Sequence, residues 1–532
     1  MDETMNAPSR STVWVQSQDQ LQRALPDFLR ARRWFGGKTR TIRSVEIADA
    51  IPISHLGVAA AIIVVRVNYA EGPSEAYTVP LLQELQRDQP AGDTPHLRIR
   101  GSDGKEHVFS DALSNQAILE MLFDAIREAL RFPGRDGELV GIPARSLEPL
   151  RIAAQGKLPP ALMKAEQSNS SVLYGRAFVL KLFRRLEAGI SPDLEIGRFL
   201  SERAAFPNIP PMAGALEYRS GQSEPAAMAI LQGFVANKGD VWEHTLKALA
   251  GYYDRVVAHM PAPPAAKSEG LDAQLLRNYG AEAALLGQRT AELHGALASD
   301  CGDPNFAFEP FSIAHQREIS ESLVYALHEI FGMLRQRVAD LPGRAQAAAR
   351  RALASEKTLA DRFRSLADLK LTGPRMRIHG DLHLGQVLFT GDDFVFIDFE
   401  GEPARTLAER REKHSPLRDV SGMVRSFHYA AYAALFRRLG DSAKREVESA
   451  PLVTFANAWY RAVSAEYLRA YFATAAGADF LPANRDERQF LLDFWLLGKA
   501  VYELKYELNH RLDWVAIPLE GIDMLIGGPA AS

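Results

Sequence analysis

Cysteine is almost missing from this 532-residue chain, which has one, Cys301. A single thiol excludes an intramolecular disulfide and a cysteine-rich metal site, and it suits a reducing compartment. No catalytic-cysteine signature surrounds Cys301, so it reads as a structural thiol. An excess of one charge is missing too. Lys and Arg number 62 against 66 Asp and Glu, a net charge of −4, which excludes a global basic field for nucleic acid. Long apolar runs are also absent. The longest near the start, residues 57–65, stops at Arg66, far short of the ~20 residues of a membrane-spanning helix. Its Ile-Ile-Val-Val content reads as a buried strand. The first residues are acidic and lack the basic start and apolar core of a signal peptide. The expectation is a cytoplasmic protein with neither membrane nor nucleic-acid partner.

What is present is an ordinary globular composition, with 47% hydrophobic and 24% charged residues. At about 150 residues per domain the length allows three or four units. The pattern divides into 12–114, 115–236 and 237–528. Short strands are expected around Val45, 62–67, 76–82 and 107–110, followed by a helix over 115–132. A second strand-rich block runs from about 150 to 235, interrupted by a helix near 193–199. After Gly239, long Ala-, Leu-, Arg- and Glu-rich helices take over, and only a strand-and-loop patch at 376–399 breaks them. The stretch Pro261 to Pro264 reads as a surface loop. The fold class is α+β: a mixed N-terminal part, a strand-rich lobe and a largely helical lobe, with chemistry expected where the lobes meet.

The patch opens with His379-Gly380-Asp381-Leu382-His383-Leu384-Gly385-Gln386. Val387 to Phe389 and Phe394 to Ile397 are two apolar strands joined by a Gly-Asp-Asp turn, which predicts a hairpin. Asp381 precedes the first strand and Asp398 follows the second, so folding brings them together. In phosphoryl transfer one carboxylate orients an attacking hydroxyl, while a second carboxylate and an amide oxygen are hard ligands for the Mg²⁺ of ATP. The spacing from Asp381 to Gln386 equals that from the catalytic Asp to the metal-binding Asn of protein kinases, and Asp398-Phe399-Glu400 stands where Asp-Phe-Gly would be. Either half alone reads equally well as a polar turn; together, in this order, they favour a kinase. His379 and His383 lack a third ligand for zinc and read as loop braces.

A kinase also needs a phosphate-covering turn, a strand lysine and a helical acid. A glycine-rich Gly-x-Gly loop is absent. In its place stands Gln167-Ser168-Asn169-Ser170-Ser171, whose hydroxyls and backbone N–H groups can cradle phosphate. Lys181 follows alone in the apolar strand Ala177 to Phe183, where an unpaired charge is costly, and Glu195 is its expected partner. The alternative is an edge lysine facing water. Gln232, Phe234 and Val235, at the end of a strand before Gly239-Asp240, are the candidates for holding adenine.

With these residues in place the chain resembles the bacterial maltokinases, ATP-dependent kinases of an aminoglycoside-phosphotransferase-like, two-lobed, protein-kinase-like fold that make maltose 1-phosphate. The resemblance covers nearly the whole chain. It is carried by Arg33-Trp34-Phe35-Gly36-Gly37-Lys38, which resembles the signature of an N-terminal cap, and by the motifs around Ser168, Phe183, Asp193 and Asp381. Ile397 to Pro403, Ser415 to Val420 and Tyr502 to Glu507 also match. The resemblance implies that Asp381 is the catalytic base, Gln386 and Asp398 hold Mg²⁺, and Lys181 with Glu195 positions the ATP phosphates. It further implies that Asp419 braces the catalytic loop. Ser415-Pro416 independently places Asp419 early in a helix.

Lys499, Glu503 and Tyr506 fall on one face of a C-terminal helix and are the candidates for contacting a sugar together with Asp381. A plain Lys499–Glu503 helix salt bridge is the alternative. The implied reaction is phosphorylation of the anomeric hydroxyl of maltose, with ATP between the lobes and trehalose synthase as an expected partner. Two other readings stay open: a kinase for another sugar, glucosamine or an aminoglycoside, and a non-catalytic nucleotide-binding partner of a trehalose-converting enzyme.

Overall fold

The apolar run that stops at Arg66 becomes the strand Val58–Tyr69, which is buried on both faces. Ile62 and Val64 join one core with Leu122, Val172 and Leu180, while Ala61, Ile63, Val65 and Val67 join another with Leu21, Leu25 and Phe28. Side chains alternate across a strand. A strand that serves two cores must therefore be apolar at every position, hence the unbroken run.

The computed structural model describes residues 18–527 except 56–57, 85–95, 101–105, 164–167, 222, 260–270, 300–301 and 441. Cys301, Gln167 and the Pro261 to Pro264 stretch lie outside the described residues. Two compact units form: Met1–Glu202 with Pro210–Ala236, and Arg203–Ile209 with Asn237–Ser532.

In the first unit one sheet runs in the order Ile42–His55, Val58–Tyr69, Glu75–Glu84, Glu106–Asp111, Leu97–Arg100, and Arg185–Leu186 adds to Glu75–Glu84. The helix Gln18–Arg30 packs on one face through Leu21, Leu25 and Phe28. A second sheet runs Arg131–Pro133, Gly137–Pro143, Met212–Ser220, Ala226–Gly233, Phe178–Phe183, Asn169–Tyr174, Pro160–Leu162. The parts expected over 12–114 and 115–236 lie in this one unit, because Ile51, Ile53 and Ile62 of the first sheet share a core with Leu180 and Leu231 of the second. The helix expected over 115–132 is shorter, Gln116–Arg127, since Ala129 adopts φ 52° and the chain turns into the strand Arg131–Pro133. The strand Leu97–Arg100 went unforeseen because it has only four residues.

The second unit is helical around the helix Leu417–Leu439, which is buried on nearly every side. The helices Val241–His259, Ser442–Thr474 and Arg485–His510 pack against it. Gly422 in the central helix is a close-approach position: a Cβ there would meet the carbonyl oxygen of Leu382 at 2.5 Å. The loop carrying Asp381 therefore rests directly on helix backbone. Among the described residues no helix is long and apolar enough to cross a membrane.

Candidate active site

The expected hairpin forms, with Val387 opposite Phe396 and Phe389 opposite Phe394. Its turn is closed by the Thr390 hydroxyl, which accepts from Asp393 N–H at 3.1 Å. Arg289 grips the Asp393 carboxylate with two donors at 2.7 and 2.9 Å. At the open end Ile397 N–H donates to Gln386 O at 3.0 Å, which sets Gln386 and Asp398 on neighbouring strand ends. Asp398 has φ 71°, the left-handed region that side chains other than glycine rarely enter. Strain of this kind is held only where surrounding structure fixes it, and it gathers at functional sites. One oxygen of Asp398 and one of Glu400 lie within 4.8 Å of each other. Glu400 is not among the metal ligands expected from sequence; its signal is an acid two residues past Asp398.

Asp419, 2% exposed, holds the loop before the hairpin. Its Oδ2 accepts from His379 N–H at 2.7 Å and its Oδ1 from Gly380 N–H at 2.9 Å, and His294 Nε2 stands 3.2 Å away. Burial pushes the Asp419 carboxyl up, but these partners outweigh it and hold the carboxyl below its ordinary value. His379 Nε2 donates to Ile397 O at 3.0 Å, tying the loop to the hairpin end. His383 Nδ1 accepts from Gly385 N–H at 3.0 Å, capping the short turn Leu384–Gln386. Both histidines brace backbone.

Asp381 lines a cavity of about 380 Å³ within the second unit. The opposite wall is one face of Arg485–His510, including Lys499, Tyr502, Tyr506 and Asn509. Lys499 Nζ lies 3.3 Å from Asp381 Oδ1 and 3.4 Å from Glu402 Oε1, one ammonium between two carboxylates. Glu402 is 7% exposed and also meets Arg405 at 2.8 Å and Arg418 at 3.5 Å. Burial raises the Asp381 carboxyl, but Lys499 and then His383 outweigh it, so the group sits below the ordinary carboxylate value and is ionised at neutral pH. For Lys499 burial acts downward, and Asp381 and Glu402 more than offset it, so it stays protonated. A rate that needs ionised Asp381 falls only when acid passes this depressed pKa. In Lys499→Met the opposition to burial is lost and the pKa rises. The acid limb of the kcat/KM profile is thus expected to move to higher pH, and a profile identical to wild type would contradict this.

Glu503 departs from its expected role. Its carboxylate is bound by Arg425 of the central helix at 2.6 and 2.9 Å and is absent from the cavity lining. Arg425 is 2% exposed, and a buried guanidinium demands a counter-charge that Glu503 supplies.

In the first unit Lys181 is held by Asp193, 3.2 Å away and 1% exposed, on the opening turn of the helix Pro192–Glu202. Glu195, the expected partner, lies two residues further along that turn. Asp193 was overlooked as a partner although it belongs to the same motif. Ser168 is exposed, and Asn169 and Ser170 begin the strand that pairs with the lysine strand, Ser170 opposite Leu182. Gln232 pairs on both sides, with Val179 and Met212. Phe234 N–H donates to Ala177 O at 2.7 Å, so this expected adenine donor is already engaged by its own sheet. Val235 follows it directly.

The amide of Gln386 and the carboxylates of Asp398 and Glu400 are hard oxygen donors at one hairpin end, a set that fits Mg²⁺. Residues 28–113 match the family described as the maltokinase N-terminal cap domain, and residues 157–401 match the phosphotransferase enzyme family. A glucosamine kinase of Streptacidiphilus jiangxiensis is 26% identical over 358 residues, 66% of this chain and 70% of that protein. A glucosamine kinase of Mycolicibacterium smegmatis is 30% identical over 155 residues, 29% of this chain and 35% of that one. A solved glucosamine kinase in complex with glucosamine, ADP and inorganic phosphate has a TM-score of 0.62 at 21% identity, covering 98% of this chain and all of that one. The matched segments are similar to a maltokinase-type N-terminal cap and to the phosphotransferase enzyme family, and the chain shares the fold of a solved glucosamine kinase.

Proposed function

We propose that the protein is an ATP-dependent kinase of a neutral sugar, with the anomeric hydroxyl of maltose as acceptor. The observation that carries this reading is the ammonium of Lys499 seated between Asp381 and Glu402 in the cavity. A free pair of carboxylates would attract a cationic amino sugar. Here that place is taken by a cation of the chain's own, and Arg405 and Arg418 line the same cavity. What remains for a ligand is hydroxyl chemistry: donors, acceptors and the partly exposed rings of Tyr502 and Tyr506. The lining runs along the helix from Lys499 to His510, about 16 Å at 1.5 Å per residue, longer than a single sugar ring. A disaccharide suits that length.

In this reading the acceptor hydroxyl donates to ionised Asp381, which aims its lone pair at the γ-phosphorus. Asp381 takes the proton as the new O–P bond forms and ADP leaves. Lys181 and Ser168, which stands just before the strand Asn169–Tyr174, contact the ATP phosphates. Gln386, Asp398 and Glu400 would hold Mg²⁺, which offsets phosphate charge when bound. Positioning and charge stabilisation account for most of the acceleration.

The curated relatives give the second reading, an amino-sugar kinase. ADP release measured with maltose, glucose, glucosamine, trehalose and an aminoglycoside separates the two. Maltose is expected to give the highest kcat/KM, and a higher value for glucosamine would overturn the neutral-acceptor reading. In Lys499→Met the glucosamine-to-maltose ratio of kcat/KM is expected to rise roughly tenfold, since removing one ammonium beside two carboxylates is worth on the order of 1–2 kcal/mol.

A further inference from the structure

Within the stretch Ser415 to Val420, the chemistry above uses Asp419 and gives its neighbour Arg418 no direct contact with the acceptor. Arg418 is the second residue of the helix Leu417–Leu439, and its N–H bonds back to Ser415 O at 3.0 Å. A cation is disfavoured at that end of a helix, where the dipole is positive. Burial pushes the guanidinium below its ordinary pKa, and Glu402 acts in the opposite sense. Close partners are few. Glu402 Oε2 stands 3.5 Å from Nη2, beyond ordinary hydrogen-bond length, and the guanidinium carbon lies 5.6 Å from the centre of the Trp495 ring. By contrast, Arg405 reaches the same Glu402 at 2.8 Å, and Arg425 takes Glu503 at 2.6 and 2.9 Å. None of the side-chain nitrogens of Arg418 is buried without a partner, and 15% of the side chain is exposed. With no side-chain hydrogen bond to other described residues, those donors open onto the cavity that Arg418 lines with Asp381, Glu402, Trp495 and Lys499.

We propose that Arg418 is an acceptor-binding residue, donating N–H groups to ring hydroxyls of the sugar that Asp381 engages. A guanidinium is a rigid, planar fork of donors with no acceptor of its own. Two neighbouring hydroxyls of a sugar ring offer it two acceptor oxygens side by side. The Trp495 ring and the Glu402 carboxylate limit how far the fork can swing. An anionic ligand here would stand against Glu402, only 3.5 Å from Nη2, whereas a hydroxyl is neutral and meets no such repulsion. A cation set against the helix dipole and short of a close counter-ion is costly as architecture alone. Contact with the acceptor gives it a use.

The proposal rests on the reading of this cavity as the acceptor site, so its test separates the two. KM for the acceptor, KM for ATP, kcat and Tm are measured on the full chain for wild type, Arg418→Lys, Arg418→Gln and Tyr506→Ala. The acceptors are maltose and analogues lacking one hydroxyl at a time on the ring that is phosphorylated. Both Arg418 variants are expected to raise the acceptor KM roughly tenfold, the scale of one lost charge-assisted hydrogen bond, with the ATP KM and Tm nearly unchanged. Glu402 keeps Lys499 and Arg405 in both, so no carboxylate is stranded. Loss of the hydroxyl that Arg418 binds is expected to lower kcat/KM of wild type by a similar factor and that of Arg418→Gln no further, because both changes delete one contact. If Arg418→Gln keeps the wild-type pattern of losses across the series, Arg418 does not touch the sugar. If neither Tyr506→Ala nor the Arg418 variants move the acceptor KM, the cavity itself has been misread. If Tyr506→Ala raises it and the Arg418 variants do not, the cavity stands and the role of Arg418 falls. Equal rises in both KM values with a lowered Tm would make Arg418 a structural residue only. Where wild type prefers glucosamine, a deoxy series of that sugar replaces maltose, and the neutral-acceptor reading falls independently of Arg418.

Discussion

Asp381→Asn is expected to lower kcat by roughly 10²–10⁴-fold, the range of a lost general base, while the fold and ATP binding persist. The asparagine keeps the size of the side chain and an oxygen facing Lys499, and Glu402 still accompanies that ammonium at 3.4 Å. No buried charge is stranded, so Tm should change little. What disappears is the anion that receives the hydroxyl proton. The measurement is turnover at saturating ATP and acceptor, with nucleotide affinity determined separately by titration. Turnover near wild type would remove Asp381 from the base role and leave the Lys499 pair as architecture. In the intermediate case, a raised acceptor KM with normal kcat, Asp381 would be a binding group whose interaction is equal in ground and transition states.

Asp419→Ala is expected to destabilise the protein by roughly 2–5 kcal/mol, the scale of leaving two or more buried donors without their acceptor at ~1–3 kcal/mol each. The carboxylate serves His379 N–H, Gly380 N–H and His294 at once, and alanine leaves all three without that acceptor. Chemical denaturation gives the number, and a loss under about 1 kcal/mol would show that the loop finds other support. Because the folded pKa of Asp419 is depressed, its contribution is fully present above the unfolded carboxylate value near 3.9. It is lost as pH falls through the lower folded value. Wild type should therefore lose stability in acid, and the variant should lack that component of the slope. Activity should fall alongside, since Asp381 directly follows the anchored Gly380 N–H.

The hairpin was legible because each part of it is local: apolar triplets, a Gly-Asp-Asp turn and acids at fixed distances. The spacing of Asp381 to Gln386 survives folding for the same reason. Long-range partners were another matter. Lys499 reaches residues 118 and 97 positions earlier in the chain, and helical periodicity says only which face it shares. That face offered Glu503 as a neighbour, but Arg425 on the adjacent helix had the stronger claim on it. Asp193, on the same opening turn as Glu195 and 3.2 Å from Lys181, is an acid that the sequence reading passed over. The double-faced burial of Val58–Tyr69 was visible as an unbroken apolar run, whereas the sharing of one core by two expected domains was not.

The short segment Arg203–Ile209 belongs to the second unit although the chain on both sides of it belongs to the first. Asn208 there donates to Phe394 O at 2.8 Å and accepts from Phe396 N–H at 2.9 Å, closing on the strand that leads to Asp398. Anyone dissecting the gene for expression would cut near Asn237, where the helices begin. A fragment starting there leaves behind the segment that pins its own hairpin, so the catalytic half cannot be excised with a single boundary. It would need residues 203–209 supplied as a graft or a peptide in trans.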